Sequence, residues 1–177
     1  DARRFRRDIA TENSPIYGLE RYHYQYIGKE WPEEITWDKK FIKIYTLDIE
    51  TTCENGFPDV ENPIEELLAI TVKNQSNKQI ITWGTGEFKT DRTDVTYVRC
   101  KSEKALVMEF MKFWIKNYPD VITGWNTKFF DLPYLCNRIK LLTDEKVVRR
   151  LSPWNLVGTE EIVVRGRSQL YYDLYGI

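Results

Sequence analysis

The 177-residue chain contains one histidine, His23, and that scarcity narrows the chemistry before any motif is considered. A nucleophile paired with imidazole lacks its usual base, and a histidine-ligated zinc centre lacks its ligands. His23 itself, set among tyrosines, reads as a packed or hydrogen-bonded residue. Cysteine is sparse too. Cys53, Cys100 and Cys136 are odd in number and widely spaced, without a Cys-x-x-Cys pair. They give neither a disulfide framework nor a zinc site, and they point to a reducing compartment. No apolar run approaches the length of a membrane span and no secretory signal opens the chain, so no membrane partner is expected. Positive charge is not in surplus: 26 Lys and Arg against 27 Asp and Glu leave a net charge of −1. That excludes a high-affinity DNA clamp but not an enzyme holding a few nucleotides in a cleft.

What is present is a globular composition. At 42% hydrophobic and 30% charged residues, the chain can bury one sizeable core and carry an appendage. Aromatic residues are abundant, with six Trp and eleven Tyr. Such a surplus either fills a core or supplies stacking surfaces for bases.

Residues 1–40 read as one unit. Arg3-Arg4-Phe5-Arg6-Arg7 is a basic cluster, either a solvated helix face or a phosphate contact, and Asn13-Ser14-Pro15 breaks any helix there. Tyr22-His23-Tyr24-Gln25-Tyr26-Ile27 alternates as a strand does, with Gly28 and Pro32 closing it.

From Phe41 onward the pattern is of strands and helices in turn. Phe41-Ile42-Lys43-Ile44-Tyr45-Thr46-Leu47-Asp48-Ile49-Glu50 opens as a strand. A loop at Cys53-Glu54-Asn55-Gly56-Phe57-Pro58 follows. Strands are predicted at residues 67–72 and 79–83, making an antiparallel meander with the first, and a short strand at 95–98. Ser102 stands where an N-cap belongs, ahead of Leu106, Phe110 and Phe113 at helical spacing. A brief strand at 121–125 precedes a helix opened by Asp131-Leu132-Pro133, and a short charged helix lies within 141–151. The pairs around Arg165-Gly166-Arg167-Ser168 read as a β-hairpin. The predicted fold class is α/β, a mixed sheet flanked by helices.

Two places carry candidate chemistry. Asp48 and Glu50 are two apart on a strand, so both side chains point to one face and repel each other. Either solvent relieves the repulsion at an edge strand, or a divalent cation with hard oxygen ligands lies between them. The second place is Gly124-Trp125-Asn126-Thr127-Lys128-Phe129-Phe130-Asp131. There a strand ends, a helix begins, and Asp131 is either a helix cap or a third carboxylate for the same site.

These residues resemble a known family. Leu47-Asp48-Ile49-Glu50-Thr51 is similar to the first exonuclease motif of family B DNA polymerases, and Asn126 through Phe130-Asp131 to the second, Asn-x-x-x-Phe-Asp. Gly56-Phe57-Pro58 falls at that family's loop, and the likeness continues through Leu132-Pro133-Tyr134-Leu135 and Asn137-Arg138-Ile139. It covers residues 17–177 and is greatest to the replicative polymerases of T-even-like bacteriophages. The resemblance implies a ribonuclease-H-like fold and 3′→5′ proofreading with two divalent metal ions, Mg²⁺ or Mn²⁺. Asp48, Glu50 and Asp131 become the catalytic metal ligands. Asn126, Phe57 and Phe130 become DNA contacts, with packing as the other role open to both phenylalanines. The implied substrate is a single-stranded DNA 3′ end, in the cytoplasm of a phage-infected bacterium.

One family motif has no counterpart here. The third, Tyr-x-x-x-Asp, is absent, since Asp173 is preceded at that distance by Gln169. By this resemblance residues 1–40 are the tail of the polymerase's N-terminal domain and residues 41–177 an exonuclease domain lacking its third motif, with the polymerase's palm, fingers and thumb supplied in cis or by a second chain. The alternatives are one piece of a split polymerase, or a silent ribonuclease-H-like DNA-binding or interaction module.

Overall fold

The computed structural model describes residues 22–33, 36, 38–164 and 166–177. The basic cluster at residues 3–7 and the break at 13–15 lie outside the described residues. The chain divides into two compact units, residues 1–38 and 39–177.

In the first unit the expected strand is instead a helix, α1, Tyr22–Glu30. Strict alternation specifies a strand when one face is buried against a core, and residues 23–30 are exposed throughout. With no buried face to serve, local helical hydrogen bonding prevails. The helix is followed by an N–H bond from Trp31 to the Ile27 carbonyl, 2.9 Å, with Trp31 edge-on to Tyr26. His23 is exposed on α1, its ring 4.4 Å from that of Tyr24.

The second unit opens with a 3₁₀ turn, Lys39–Phe41, and then builds one mixed sheet. Its strands are β1 Ile44–Thr51, β2 Leu67–Asn74, β3 Ile80–Gly84, β4 Val95–Arg99 and β5 Val121–Thr123. The spatial order is β4-β3-β2-β1-β5. Strands β1, β2 and β3 pair antiparallel, β1 and β2 across the long loop of residues 52–66 and β2 and β3 across a short polar turn, while β4 joins β3 and β5 joins β1 in parallel. Two helices supply the cover: α2, Glu103–Lys116, and α3, Asp131–Leu142. A short α4, Glu145–Arg149, and a separate hairpin, β6 Val157–Val164 with β7 Arg167–Leu174, complete the unit.

The core lies on one face of the sheet. Along β1, Tyr45, Leu47 and Ile49 are buried, and the alternate residues are not. Helix α2 meets that face with Leu106, Val107, Phe110, Met111 and Trp114, all buried. Ser102 caps α2 as the sequence suggested, its hydroxyl accepting from the Ala105 N–H. Ring contacts knit the two layers: Tyr45 packs on Phe113 and Trp114, and Trp83 on Phe110. Trp114 is wholly buried, and its indole N–H donates to the Leu151 carbonyl at 2.8 Å. Burying a side chain of that kind stabilises by roughly 1.5–3 kcal/mol.

Candidate functional site

The site is seated on β1, which is no edge strand. It lies between β2 and β5, but its pairing with β5 ends at Thr46, before the two acids. Asp48 and Glu50 are exposed on its open face, on opposite sides of the buried Ile49. The pairing with β2 slips between Glu50 and Thr51, which face Ala69 and Leu67 in turn. Leu68 is the extra residue of that bulge. Such bulges re-aim side chains at the ends of strands, and nothing in the sequence pattern announced this one.

Strand β5 pairs with β1 only from Ile44 to Thr46. Beyond Thr46 that edge of β1 is taken over by the segment leading into α3. The Thr127 hydroxyl donates to the Leu47 carbonyl at 3.4 Å, and the Ile49 N–H donates to Asp131 Oδ1 at 3.1 Å. The third acid is therefore tied to the peptide N–H that lies between the first two. Two local features permit this approach. A Cβ on Gly124 would stand 2.0 Å from the Thr127 hydroxyl and 2.7 Å from the Leu47 carbonyl. Only glycine lets the segment come so close. Asn126 then turns the chain with φ of 55°, a conformation asparagine tolerates, and its carbonyl accepts from both Phe129 and Phe130 N–H at 3.0 Å.

Asp131 is the first residue of α3 rather than its cap. Phe130 holds the cap position and makes no side-chain cap bond. The carboxylate is 4% exposed. Burial pushes its pKa above the ordinary range, the Ile49 N–H offsets this in part, and the charges of Asp48 and Glu50 raise it further. Among the described residues no lysine, arginine or histidine forms an ion pair with any of the three acids.

The donor chemistry, carboxylate oxygens with no competing cation, suits a hard divalent ion. The donor count does not close a site: among the described residues no group of three or more His, Cys, Asp or Glu is arranged to hold a metal ion. Asp131 spends one oxygen on the Ile49 N–H. Asp173 is exposed on β7, opposite Gly158.

The remaining expected contacts lie nearby. Phe57 is 86% exposed, so it is not a hydrophobe pinned to the core, and its ring stands 5.5 Å from that of Phe130. Phe130 is half-buried and stacks on Tyr134 at 5.8 Å. Phe57, Phe129 and Phe130 line a cleft of about 390 Å³ whose other wall includes Ser168 and Gln169 of the hairpin. Asn126 is exposed.

Glu65 was not singled out from the sequence, yet it fixes the loop that presents Phe57. Its buried carboxylate accepts from the Thr52 hydroxyl, from the Glu54 and Asn55 N–H at 3.1 and 2.7 Å, and from the Asn55 side-chain amide at 2.9 Å. The Thr52 bond, foremost, and the Asn55 N–H bring its pKa down to about 2. The Tyr134 hydroxyl donates to the Glu65 carbonyl at 2.7 Å, linking loop to α3. The only sequence signal was an acid after a proline-containing loop, which is too common to single out.

Comparison with known proteins gives the family. A family model described as DNA polymerase family B, exonuclease domain, matches residues 8–172. The chain is 30% identical to the DNA-directed DNA polymerase of Escherichia phage RB69, with 95% of the chain and 22% of that protein aligned. It is 28% identical to that of Enterobacteria phage T4, over 99% of the chain and 23% of that protein. A DNA polymerase of Pyrococcus glycovorans is 28% identical over 77% of the chain and 17% of its own length. The chain thus spans less than a quarter of the length of these relatives. With a mixed sheet flanked by helices, as in a ribonuclease-H-like exonuclease, this chain belongs to the exonuclease domain family of the family B DNA polymerases.

Proposed function

We propose that this chain is most of the proofreading exonuclease of a larger polymerase, hydrolysing 3′-terminal nucleotides from single-stranded DNA. The observation that carries this reading is the Ile49 N–H bond to Asp131, which brings the acids of two separate motifs to one stretch of β1. In this reading residues 41–177 are the exonuclease body and 1–40 the tail of a preceding domain.

Exonuclease domains of this family use divalent metals. Asp48 and Glu50, exposed and side by side, are the residues to hold two such ions, Mg²⁺ or Mn²⁺, with Asp131 as a further ligand. Bound there, the ions would supply Lewis acidity for in-line hydrolysis of a phosphodiester. The chain's own residues have the other tasks. Ile49 holds Asp131 in place through its N–H. Glu65 fastens the loop that offers Phe57 to an unpaired terminal base, with Phe130 behind it. Asn126, exposed at the turn, is positioned to hydrogen-bond the strand. The rest of the ligand set comes from outside the described residues, in the remainder of the polymerase, in cis or as a second chain. The setting we infer is the cytoplasm of a phage-infected bacterium. No described helix is long and apolar enough to cross a membrane.

The open ligand set favours one other reading, a catalytically silent DNA-binding module. Titration calorimetry with Mn²⁺, followed by incubation with a 3′-labelled oligonucleotide, separates the two. We expect Mn²⁺ binding that disappears in Asp48→Ala/Glu50→Ala, with little strand shortening by this chain alone. Equal affinity in the variant would remove the metal site. Robust shortening abolished by Asp48→Ala would show that no further ligand is needed. A longer polypeptide that stays inactive while binding Mn²⁺ and DNA would favour the silent module.

A further inference from the structure

The open face of the sheet does not end at the carboxylates. Side chains alternate along β1, so Ile44 and Thr46 share the face of Asp48 and Glu50. At the far end of that strand lies a cleft of about 600 Å³, and Ile42 and Ile44 line its floor. Its charged walls are of one sign. Lys39 and Lys40 come from the 3₁₀ turn before β1, and Lys78 comes from the turn between β2 and β3, with Gln75 and Ser76 beside it. Among the described residues no carboxylate lines the cleft. This concentration of lysine stands out in a chain whose net charge is −1.

Three further observations specify what such a cleft takes. Gln75 is held in place, its side-chain amide donating to the Thr46 hydroxyl at 2.5 Å and its carbonyl lying 3.4 Å from Lys78 Nζ. The loop wall is therefore ordered and not a loose tip. Phe41, between two cleft-lining residues, is 77% exposed, with Lys40 Nζ 5.2 Å from its ring centre. An exposed aromatic among lysines is the pairing that single-stranded nucleic acids use, the cations tracking phosphates and the ring stacking a base. Finally, Ile44 and Asp48 are four residues apart on one strand face, which is roughly 13 Å at ~3.3 Å per residue, a reach of a few nucleotides.

We propose that the Lys39/Lys40/Lys78 cleft is a binding subsite for the phosphodiester backbone of single-stranded nucleic acid, with Phe41 as its stacking platform. It would hold a strand away from the carboxylates, on the same sheet face. The subsite rests on geometry and charge at the opposite end of β1 from the acids, and it does not require the metal site or hydrolysis.

The test is binding of a fluorescein-labelled oligo(dT) to the chain in EDTA, followed by anisotropy across a salt series. Lys78 has φ of 64°, so Lys78→Asn removes the charge without straining the backbone. In Lys39→Gln/Lys78→Asn we expect affinity to fall at least tenfold. The slope of log K against log salt should decrease by about 1.4, at ~0.7 for each phosphate of a single strand that is no longer neutralised. Phe41→Ala should weaken binding about tenfold with the slope unchanged, since stacking carries no counterion release. Affinity and slope unchanged in the lysine variant would overturn the subsite, as would displacement of the oligonucleotide by poly-glutamate together with indifference to Phe41→Ala, which would mark an acidic protein partner. Lys104→Gln, at an exposed position of α2 outside the cleft, serves as the charge control and should bind oligo(dT) as the parent does. Lysine-dependent binding in a chain that never takes Mn²⁺ would leave the subsite standing and the exonuclease reading fallen. Mn²⁺ binding without lysine-dependent oligonucleotide binding would do the reverse.

Discussion

Glu103 and Asp131 are both buried carboxylates at the first residue of a helix, and the fold treats them in opposite ways. Glu103, at the start of α2, is gripped by Arg138 through two bonds of 2.6 and 2.7 Å and also accepts from the Leu67 N–H at 2.7 Å. Arg138 in turn donates to the Pro63 and Ile64 carbonyls. Both charges of that cluster are paired, each Arg138 nitrogen has a partner, and the cluster clamps α2 and α3 to the loop ahead of β2. Asp131, at the start of α3, has one backbone N–H and two neighbouring acids. A buried acid with a complete set of partners is part of the framework. One that lies near like charges, with no cation among the described residues paired to it, is in a position that a cation from outside the chain would relieve.

The contrast is sharpest where a partner is removed. Arg138→Ala should destabilise the chain by about 3–5 kcal/mol, because it strands a buried carboxylate, and urea denaturation would measure it. A loss below 1 kcal/mol would mean that the Glu103 clamp is ornamental. Gly124→Ala comes next. Its Cβ must displace either Thr127 or the Leu47 carbonyl, at about 1–3 kcal/mol. The larger consequence should be functional, since the shift moves Asp131 off the Ile49 N–H, and Mn²⁺ affinity should fall with it.

Changing Asp131 itself should cost less than breaking the clamp. Asp131→Ala orphans the Ile49 N–H, worth ~1–3 kcal/mol, but removes a buried like charge, so we expect a net loss of about 1 kcal/mol. Asp131→Asn keeps an acceptor for that N–H and should be as stable as the parent or more so, while binding Mn²⁺ more weakly. An Asn variant as unstable as Arg138→Ala would place Asp131 with the framework residues.

The smallest effect is in the pH dependence. The folded pKa of Asp131 lies above its unfolded value near 3.8, so its contribution falls as pH rises through the interval between them. Glu65 behaves oppositely. With a folded pKa of about 2 against 4.5 unfolded, its stabilisation is present above 4.5 and is lost as pH falls toward 2. Thermal melts from pH 2 to 7 should show the acid loss in both the parent and Asp131→Asn, but the decline on the way up only in the parent.

Much of this was legible in the residues themselves. The alternation of Tyr45, Leu47 and Ile49 against Asp48 and Glu50 dictates a strand with one buried and one polar face, because side chains on a strand alternate. The spacing of Leu106, Phe110 and Trp114 dictates a helix on that face, and Ser102 marks its start. The same reasoning failed at residues 22–27, where alternation had no core to report on. Tertiary structure alone decided which acids meet. Ile49 and Asp131 are 82 positions apart, and no local pattern encodes a bond between a strand amide and a helix-terminal carboxylate. Glu65 and the bulge at Leu68 were hidden for the same reason. Their roles come from hydrogen bonds whose partners are set by how the loop closes on β2, a property of the packed chain and not of any one segment. The sequence by itself placed two carboxylates on one face of β1. Only the folding of residues 124–131 against the edge that β5 leaves free brought the third beside them, with no cation among the described residues paired to it.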